Sequence, residues 1–435
     1  MSVGLTGSAK RTLQCQSLEP SFFIIMTKKQ TFYAVYICLF LIAPLFASAQ
    51  KNEKTEFESY LFAFFSDNSP YGEQIRYALS DDGFNYRALN DGQPVISSDS
   101  IALKKSIRDP HIIRSQDGKT FYMVLTDMRS SQGWQSNDGL VLMKSTDLLH
   151  WQHTAIHFPK RFPNLEGFDE ANLHAVWAPQ TIWDEKEQKY MIYYSIGRHD
   201  WEYPVGKNRT QPYFKIFYSY ANEDFTDVTE PKLLFDFGTA AIDGDIVYDK
   251  KNSEYILFFK DEGLSTMNKG FRTRQGVMRA TSKNLTGPYT VEYRHLQKEG
   301  QYPVEGSSVF PLIDSEEYIL MYDCYANGYY QFCKSSDLKN FEFVQNTLTR
   351  GNFTPRHGSV MHITREERER LEAWDNLKMA LTELRNIPIP AFTLQQLEQR
   401  RELLRQSNQI LRTCSNQKAF NKAAKKVRKF TDKFK

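Results

Sequence analysis

The chain has 435 residues, 41% hydrophobic and 25% charged, which is ordinary globular usage and allows two or three units or one repetitive all-β domain. The formal net charge is +3, and the excess lies mainly in the last seventy residues, so the nearly neutral body excludes a nucleic-acid footprint there. Aromatic residues make up 14% of the chain, which favours strands in the core and, on a surface, platforms for sugar rings.

The first predicted element is an export signal. "MTKKQTFYAVYICLFLIAPLFASAQ" opens at Met26 with Lys28 and Lys29, runs apolar to Phe46 and then offers Ala47-Ser48-Ala49. A basic start, a short apolar core and a small-residue cleavage site are the parts of a secretory signal, and the core is short for a membrane span. Residues 1–49 are therefore expected to form the signal region, with translation starting at Met26. The mature protein would begin near Gln50, secreted or periplasmic, with no stable membrane span after cleavage. Three cysteines follow, Cys324, Cys333 and Cys414, which is not a disulfide framework. Cys324 and Cys333 flank a turn at Asn327-Gly328 that sets them diagonally, an arrangement that does not favour a bridge.

Beyond Gln50 one pattern recurs: an apolar strand, a polar turn, then a second strand rich in Tyr and Phe. It reads "RDPHIIRSQDGKTFYMVLTD" at 108–127, "WAPQTIWDEKEQKYMIYYS" at 177–195, "IDGDIVYDKKNSEYILFFK" at 242–260 and "VEGSSVFPLIDSEEYILMYD" at 304–323. A third strand follows each, ending in a polar turn and an aromatic, as in "MKSTDLLHW" and "CKSSDLKNF". The Ser and Asp of these turns bond to local backbone, and the aromatic packs between units. The domain ends supply a fifth unit: "RHGSVMHIT" at 356–364 is a first strand with no second, and "YLFAFFSDN" at 60–68 a second with no first. Repeats of this length with several antiparallel strands predict an all-β, five-bladed β-propeller over 50–363, closed by strands from both ends of the domain. From Thr364 the periodicity turns helical, and Pro388 and Pro390 separate two helices of a basic α-helical extension over 364–435.

The starts of the first strands carry Asp109, Asp243, Glu305 and His357. In a propeller the innermost strands line the axis, so their starts converge, and three carboxylates and an imidazole meet in one pocket. Carboxylates facing one another cannot all ionise cheaply, so at least one is expected to titrate high. Glycosidic hydrolysis needs such a pair, and a calcium site built on oxygens and His357 is the competing reading.

Taken together, "RDPHI" at 108–112, "WAPQ" at 177–180, "IDGDIVYD" at 242–249, "PVEGSSVF" at 303–310 and the closing "RHGSV" resemble glycoside hydrolase family 43 over residues 55–363. The resemblance implies an inverting glycosidase with Asp109 as general base, Asp243 as pKa modulator and Glu305 as general acid. Ser307 stands where the family often has Pro, and Asp243-Gly244 where it often has Asp-Pro, which leaves Asp243 and Asp245 as alternatives for the modulator. It further implies that no cofactor is required, while a residue matching His357 can support a structural calcium near the axis. Inversion sets the Asp109 and Glu305 carboxyls roughly 6.5–9.5 Å apart. Glu305 is expected to be held protonated by nearby negative charge and partial burial.

Topology nominates the sugar contacts: Trp177, Arg108, Trp134, His199, Asp323 and Arg356, with Glu73, Asp127 and Arg198 beside them. Long loops at 129–139 and 198–212 predict a walled pocket and thus exo action on an oligo- or polysaccharide. The expected activity is removal of terminal furanose or pentose units, α-L-arabinofuranose first, with β-xylose and galactofuranose open. The alternative is a carbohydrate-binding propeller without catalysis. Nothing in the sequence indicates an oligomeric state.

Overall fold

In the computed structural model, which describes residues 56–204, 210–263, 275–298 and 303–434, the alternating segments become twenty strands. The export signal and the Met26 start lie outside the described residues. The first sheet opens with β1 (Ser59–Phe64), β2 (Arg76–Ser80) and β3 (Arg87–Ala88). The second holds β4 (Ile107–Arg114), β5 (Phe121–Asp127), β6 (Gly139–Ser145) and β7 (Gln152–His157). The third holds β8 (Leu173–Asp184), β9 (Lys189–Pro204), β10 (Thr210–Tyr220) and β11 (Lys232–Phe235). The fourth holds β12 (Ala241–Asp249), β13 (Glu254–Asp261), β14 (Gly276–Ser282) and β15 (Thr290–Glu292). The fifth holds β16 (Glu305–Pro311), β17 (Tyr318–Cys324), β18 (Tyr329–Ser335) and β19 (Glu342–Leu348). The last strand, β20 (Gly358–Ile363), returns to the first sheet and pairs antiparallel with β1, from Ser59 opposite Ile363 to Phe64 opposite Gly358.

This makes a five-bladed propeller. The inner strands β20, β4, β8, β12 and β16 lie against one another in that order and back to β20, so the ring is closed. Backbone N–H groups of one inner strand bond to side chains of its neighbour: Ile112 to Ser359 at 2.9 Å, Thr181 to His111 at 3.1 Å and Val309 to Asp245 at 2.6 Å. Apolar cores fill all five interfaces between successive blades, for example Leu61, Tyr77, Met123 and Val141 between the first and second. Burying those faces is what drives closure, because each twisted four-stranded sheet is apolar on both sides.

The turn motifs behave as the sequence indicates. In "STDLLHW" Ser145 accepts from the Leu148 N–H, and Asp147 accepts from those of Leu149 and His150 at 2.9 and 2.8 Å. The extension forms α1 (Arg365–Asn386), α2 (Leu394–Thr413) and α3 (Gln417–Thr431), three helices with their own apolar core. Thr364 and Glu367 form a reciprocal N-terminal cap, and Glu367 also receives both terminal nitrogens of Arg114 at 2.7 and 2.6 Å, fixing α1 to the second blade. Among the described residues no helix is long and apolar enough to cross a membrane.

Two local readings differ. Residues 198–204 and 210–212, expected as loop, prolong β9 and β10 into a long hairpin. Cys324 pairs with Tyr329 and Cys333 with Leu320, so the two buried thiols sit four positions apart along β17 and both are free.

Candidate active site

Four of the five inner strands carry the same irregularity near their start. Residues 109–110, 178–179, 243–244 and 306–307 each bulge, two residues facing one on the second strand. The first residue of each bulge is left-handed: Asp109 at φ 51°, Ala178 at 46°, Asp243 at 53° and Gly306 at 61°. A bulge re-aims the side chains around it, and three non-glycine residues held in this region of backbone space mark a place where the fold imposes the conformation. Asp109 and Asp243 are thus true equivalents. Glu305 is not: it occupies the position before the bulge, level with Arg108, Trp177 and Ile242.

Inside this end of the ring lies a cavity of about 430 Å³ lined by Asp109, Asp243, Glu305 and His357. Arg108, Trp134, Trp177 and Arg356 line it too, as their nomination anticipated. Asp109 accepts from the Thr126 hydroxyl at 2.7 Å, and that hydroxyl accepts from the Ala178 N–H at 2.8 Å, tying the second blade to the third. His357 Nδ1 lies 3.4 Å from Asp109 and 3.9 Å from Asp243. Asp243 accepts from the Gly306 N–H at 3.1 Å, so it sets the backbone on which Glu305 is mounted. Asp245, the other candidate for that role, is turned to Val309 and does not line the cavity. Trp177 stacks on Phe214 with centroids 4.7 Å apart, and its buried indole N–H bonds to no described residue.

The remaining nominees are elsewhere. His199 is exposed and stacks edgewise on His174. Arg198 forms an ion pair with Asp200 at 2.7 Å, and Asp127 accepts from the Leu103 and Lys104 N–H groups to hold a loop. Glu73 is buried behind Arg108, 3.1 Å from its guanidinium. Asp323 lies directly opposite Glu305 in the sheet, but it is buried behind Arg356, whose guanidinium it binds.

Sequence reasoning missed Lys260, Glu262 and Tyr325. Lys260 is almost fully buried at 3% exposure, with Nζ 2.9 Å from Glu305 Oε2 and 2.6 Å from Glu262 Oε1. A common feature appears only with the bulges in place: Thr126, Ser195, Lys260 and Asp323 all pair with the residue before a bulge, a row of second-strand residues of which Lys260 lines the cavity.

The charges resolve as follows. Burial would raise Asp109, but the hydrogen bond and charge of His357, with Arg108 and Thr126, outweigh it and hold the carboxyl below its usual range. Burial lifts Asp243 to about 6, with Glu305 and Asp109 adding to the rise. Desolvation would lower His357, yet Asp243 and Asp109 lift it to about 9, so it is an imidazolium at neutral pH. Glu305 departs from expectation. Burial alone would raise it, but Lys260 and Arg356 pull it well below the ordinary range, and Arg356 Nη2 stands 2.6 Å from Oε1. The acid is ionised in the resting pocket, because its nearest neighbours are cations rather than the carboxylates the sequence brought to mind.

Among the described residues no group of three or more His, Cys, Asp and Glu side chains is arranged to hold a metal ion, and His357 faces Asp109 and Asp243.

A closed five-bladed ring with three carboxylates at its mouth defines the class: a β-propeller with an acidic axial site. The chain belongs to the glycoside hydrolase family 43-related family, whose model, described as a probable glycosyl hydrolase domain, matches residues 55–369. It is similar to an α-L-arabinofuranosidase of Bifidobacterium longum subsp. longum, 26% identical over 301 residues. That match covers 61% of this chain and 27% of the relative, so the chain spans about a quarter of the length of the curated protein it matches. Among solved structures it is similar to an exo-1,5-α-L-arabinanase from a bovine ruminal metagenomic library (13% identity, TM-score 0.44, 66% of this chain and 93% of that one). An α-L-arabinofuranosidase from Lactobacillus brevis aligns at 15% identity and TM-score 0.40, over 58% of this chain and 74% of that one.

Proposed function

We propose that this chain is a secreted or periplasmic, inverting, exo-acting glycosidase that removes terminal furanose or pentose units from polysaccharide side chains, with α-L-arabinofuranose the foremost candidate. The name of the Bifidobacterium relative supports the sugar, and a cavity of about 430 Å³ confined to one end of the ring, with room for a chain end rather than a long run of polymer, supports exo action. β-Xylose and galactofuranose are the other sugars this cavity admits.

The observation that carries the reading is the contrast between two carboxylates in one cavity. Asp109, kept ionised by His357 and aimed by Thr126, is suited to take a proton from water attacking the anomeric carbon. Glu305 is suited to protonate the departing oxygen once sugar has displaced a cation from it. Asp243, through the Gly306 N–H, fixes where Glu305 points and bears on its acidity. Trp177, which lines the cavity and is braced by Phe214, is suited to pack its ring against the sugar.

One observation favours the alternative of a binding propeller: Glu305 is doubly ion-paired. Replacement of Glu305 by Gln separates the two. The mature protein should hydrolyse at least one sugar in a panel of nitrophenyl furanosides and pyranosides. Glu305→Gln should lower kcat/KM on an oligosaccharide by roughly 10²–10⁴-fold while sugar binding, followed by calorimetry, survives. A wild-type protein that binds sugar and cleaves none of the panel would establish the binding propeller instead. Proton NMR of the first-formed anomer reads the stereochemistry, and inversion is the expected result.

A further inference from the structure

Each cation that holds Glu305 has a second carboxylate to itself. Lys260 Nζ is shared between Glu305 Oε2 and Glu262 Oε1, at 2.9 and 2.6 Å. Arg356 is shared between Glu305 Oε1, at 2.6 Å, and Asp323. Removing one partner of a buried ion pair is costly because it strands the other charge, typically by about 3–5 kcal/mol. Here neither cation would be stranded if Glu305 became neutral. The reserve on the Lys260 side is firmly built: Gln275 donates to the other oxygen of Glu262, and the Tyr325 hydroxyl donates to Gln275 at 2.8 Å. The Tyr325 ring lies 5.3 Å from Lys260 Nζ and 5.6 Å from the Arg356 guanidinium carbon, a second attraction that holds both cations in place.

Resting on the glycosidase reading above, we infer that Lys260 and Glu262 are a hand-over pair governing the acid. Sugar in the cavity draws Lys260 wholly onto Glu262. Glu305, left with Arg356, takes up one proton from solvent and gives it to the departing oxygen. Glu262 is a positioning residue that acts through Lys260 and touches no reacting atom. The other charged or titratable groups about Glu305 are Asp243 from β12, Asp323 from β17, and Arg356 and His357 ahead of β20. Of these only Asp243 also attracts Lys260, through its charge and without a described ion pair, so Glu262 is the one carboxylate besides Glu305 that is ion-paired to it.

The coupling has a sign. Glu262→Gln leaves Glu305 as the one described ion-pair partner of Lys260, so the acid should titrate lower. Lys260→Met removes the cation, so it should titrate higher, by about one unit or more. The double variant should match Lys260→Met, because Glu262 acts only through the ammonium. We would follow the Glu305 carboxyl carbon by ¹³C NMR in the four full-length proteins, assigning its signal by its loss in Glu305→Gln, with Lys260→Gln as a second neutral replacement should Met fold poorly. In parallel, the alkaline limb of kcat/KM should fall for Glu262→Gln and rise for Lys260→Met, and kcat for Glu262→Gln should drop at least several-fold. A Glu262→Gln protein in which Glu305 titrates unchanged or higher would overturn the hand-over, and so would an effect of equal size in the Lys260→Met background. If no glycoside is cleaved the glycosidase reading falls, and the carbon titration still decides the coupling.

Discussion

Asp109 and Glu305 stand in one cavity under opposite kinds of control. Asp109 is held by an imidazolium and a hydroxyl that leave it ionised and aimed. Glu305 is held by two cations, Lys260 and Arg356, of which Lys260 is the one the hand-over removes. The difference predicts how each fails. Asp109→Asn should reduce kcat on every substrate by a similar factor, roughly 10²-fold or more, since attack by water is needed whatever leaves. Glu305→Gln should be selective. A nitrophenolate departs with little help, whereas a sugar alkoxide needs its proton, so the loss on an arabino-oligosaccharide should exceed the loss on the nitrophenyl glycoside at least tenfold. Parallel kcat/KM measurements on the two substrates check this, and equal losses would remove Glu305 from the acid role.

The bulge is the element that turns a repeated strand into a site. It puts Asp109 and Asp243 at the left-handed position and Glu305 one step before, a distinction that spacing could not reveal because "RDP", "IDG" and "VEGS" look alike when aligned by their acids. The five repeats, the closing strand and the three carboxylates were legible, since period-two alternation and turn residues are local properties of the chain. Lys260 was not, because a lysine closing an apolar run such as "ILFFK" is indistinguishable from a solvated strand end until the neighbouring blade places Glu305 against it. The ionised state of Glu305 was misjudged for the same reason: the cations around it come from 45 and 51 residues away. Gly306 shows how little freedom the bulge leaves. Its φ is +61°, and a Cβ there would stand 2.7 Å from His357 Cγ. Gly306→Ala should therefore lower stability by about 1–3 kcal/mol in a denaturant melt. It should cost more in kcat than that melt suggests, because the displaced imidazole no longer orients Asp109.

At the scale of the whole ring, His357 reaches across the axis from the segment before β20. It faces Asp109 of the second blade and Asp243 of the fourth and sits against Gly306 of the fifth, so one positive charge joins blades that share no sheet. Its titration should be visible in the stability of the entire domain. The group is raised from an unfolded value near 6.5 to about 9, so its stabilisation is full below pH 6.5 and is lost as pH rises through 9. Other buried groups act in different windows. Burial lifts Asp243 to about 6 and Asp245 and Asp323 to about 7, so their cost grows as pH rises from about 4, mostly below pH 7, and levels off about one unit above it. The buried thiols Cys324 and Cys333, raised by burial, contribute only above about pH 8.5, where an unfolded thiol ionises. Between pH 7 and 8.5 the imidazolium is the principal term, and the unfolding free energy should fall by on the order of 1–2 kcal/mol across that interval. In His357→Gln, which keeps a donor but no charge, the decline over the same interval should be much smaller and the protein less stable at pH 7. Denaturant unfolding of both proteins at the two pH values measures the difference, and parallel declines would show that the ring is not clamped by this charge.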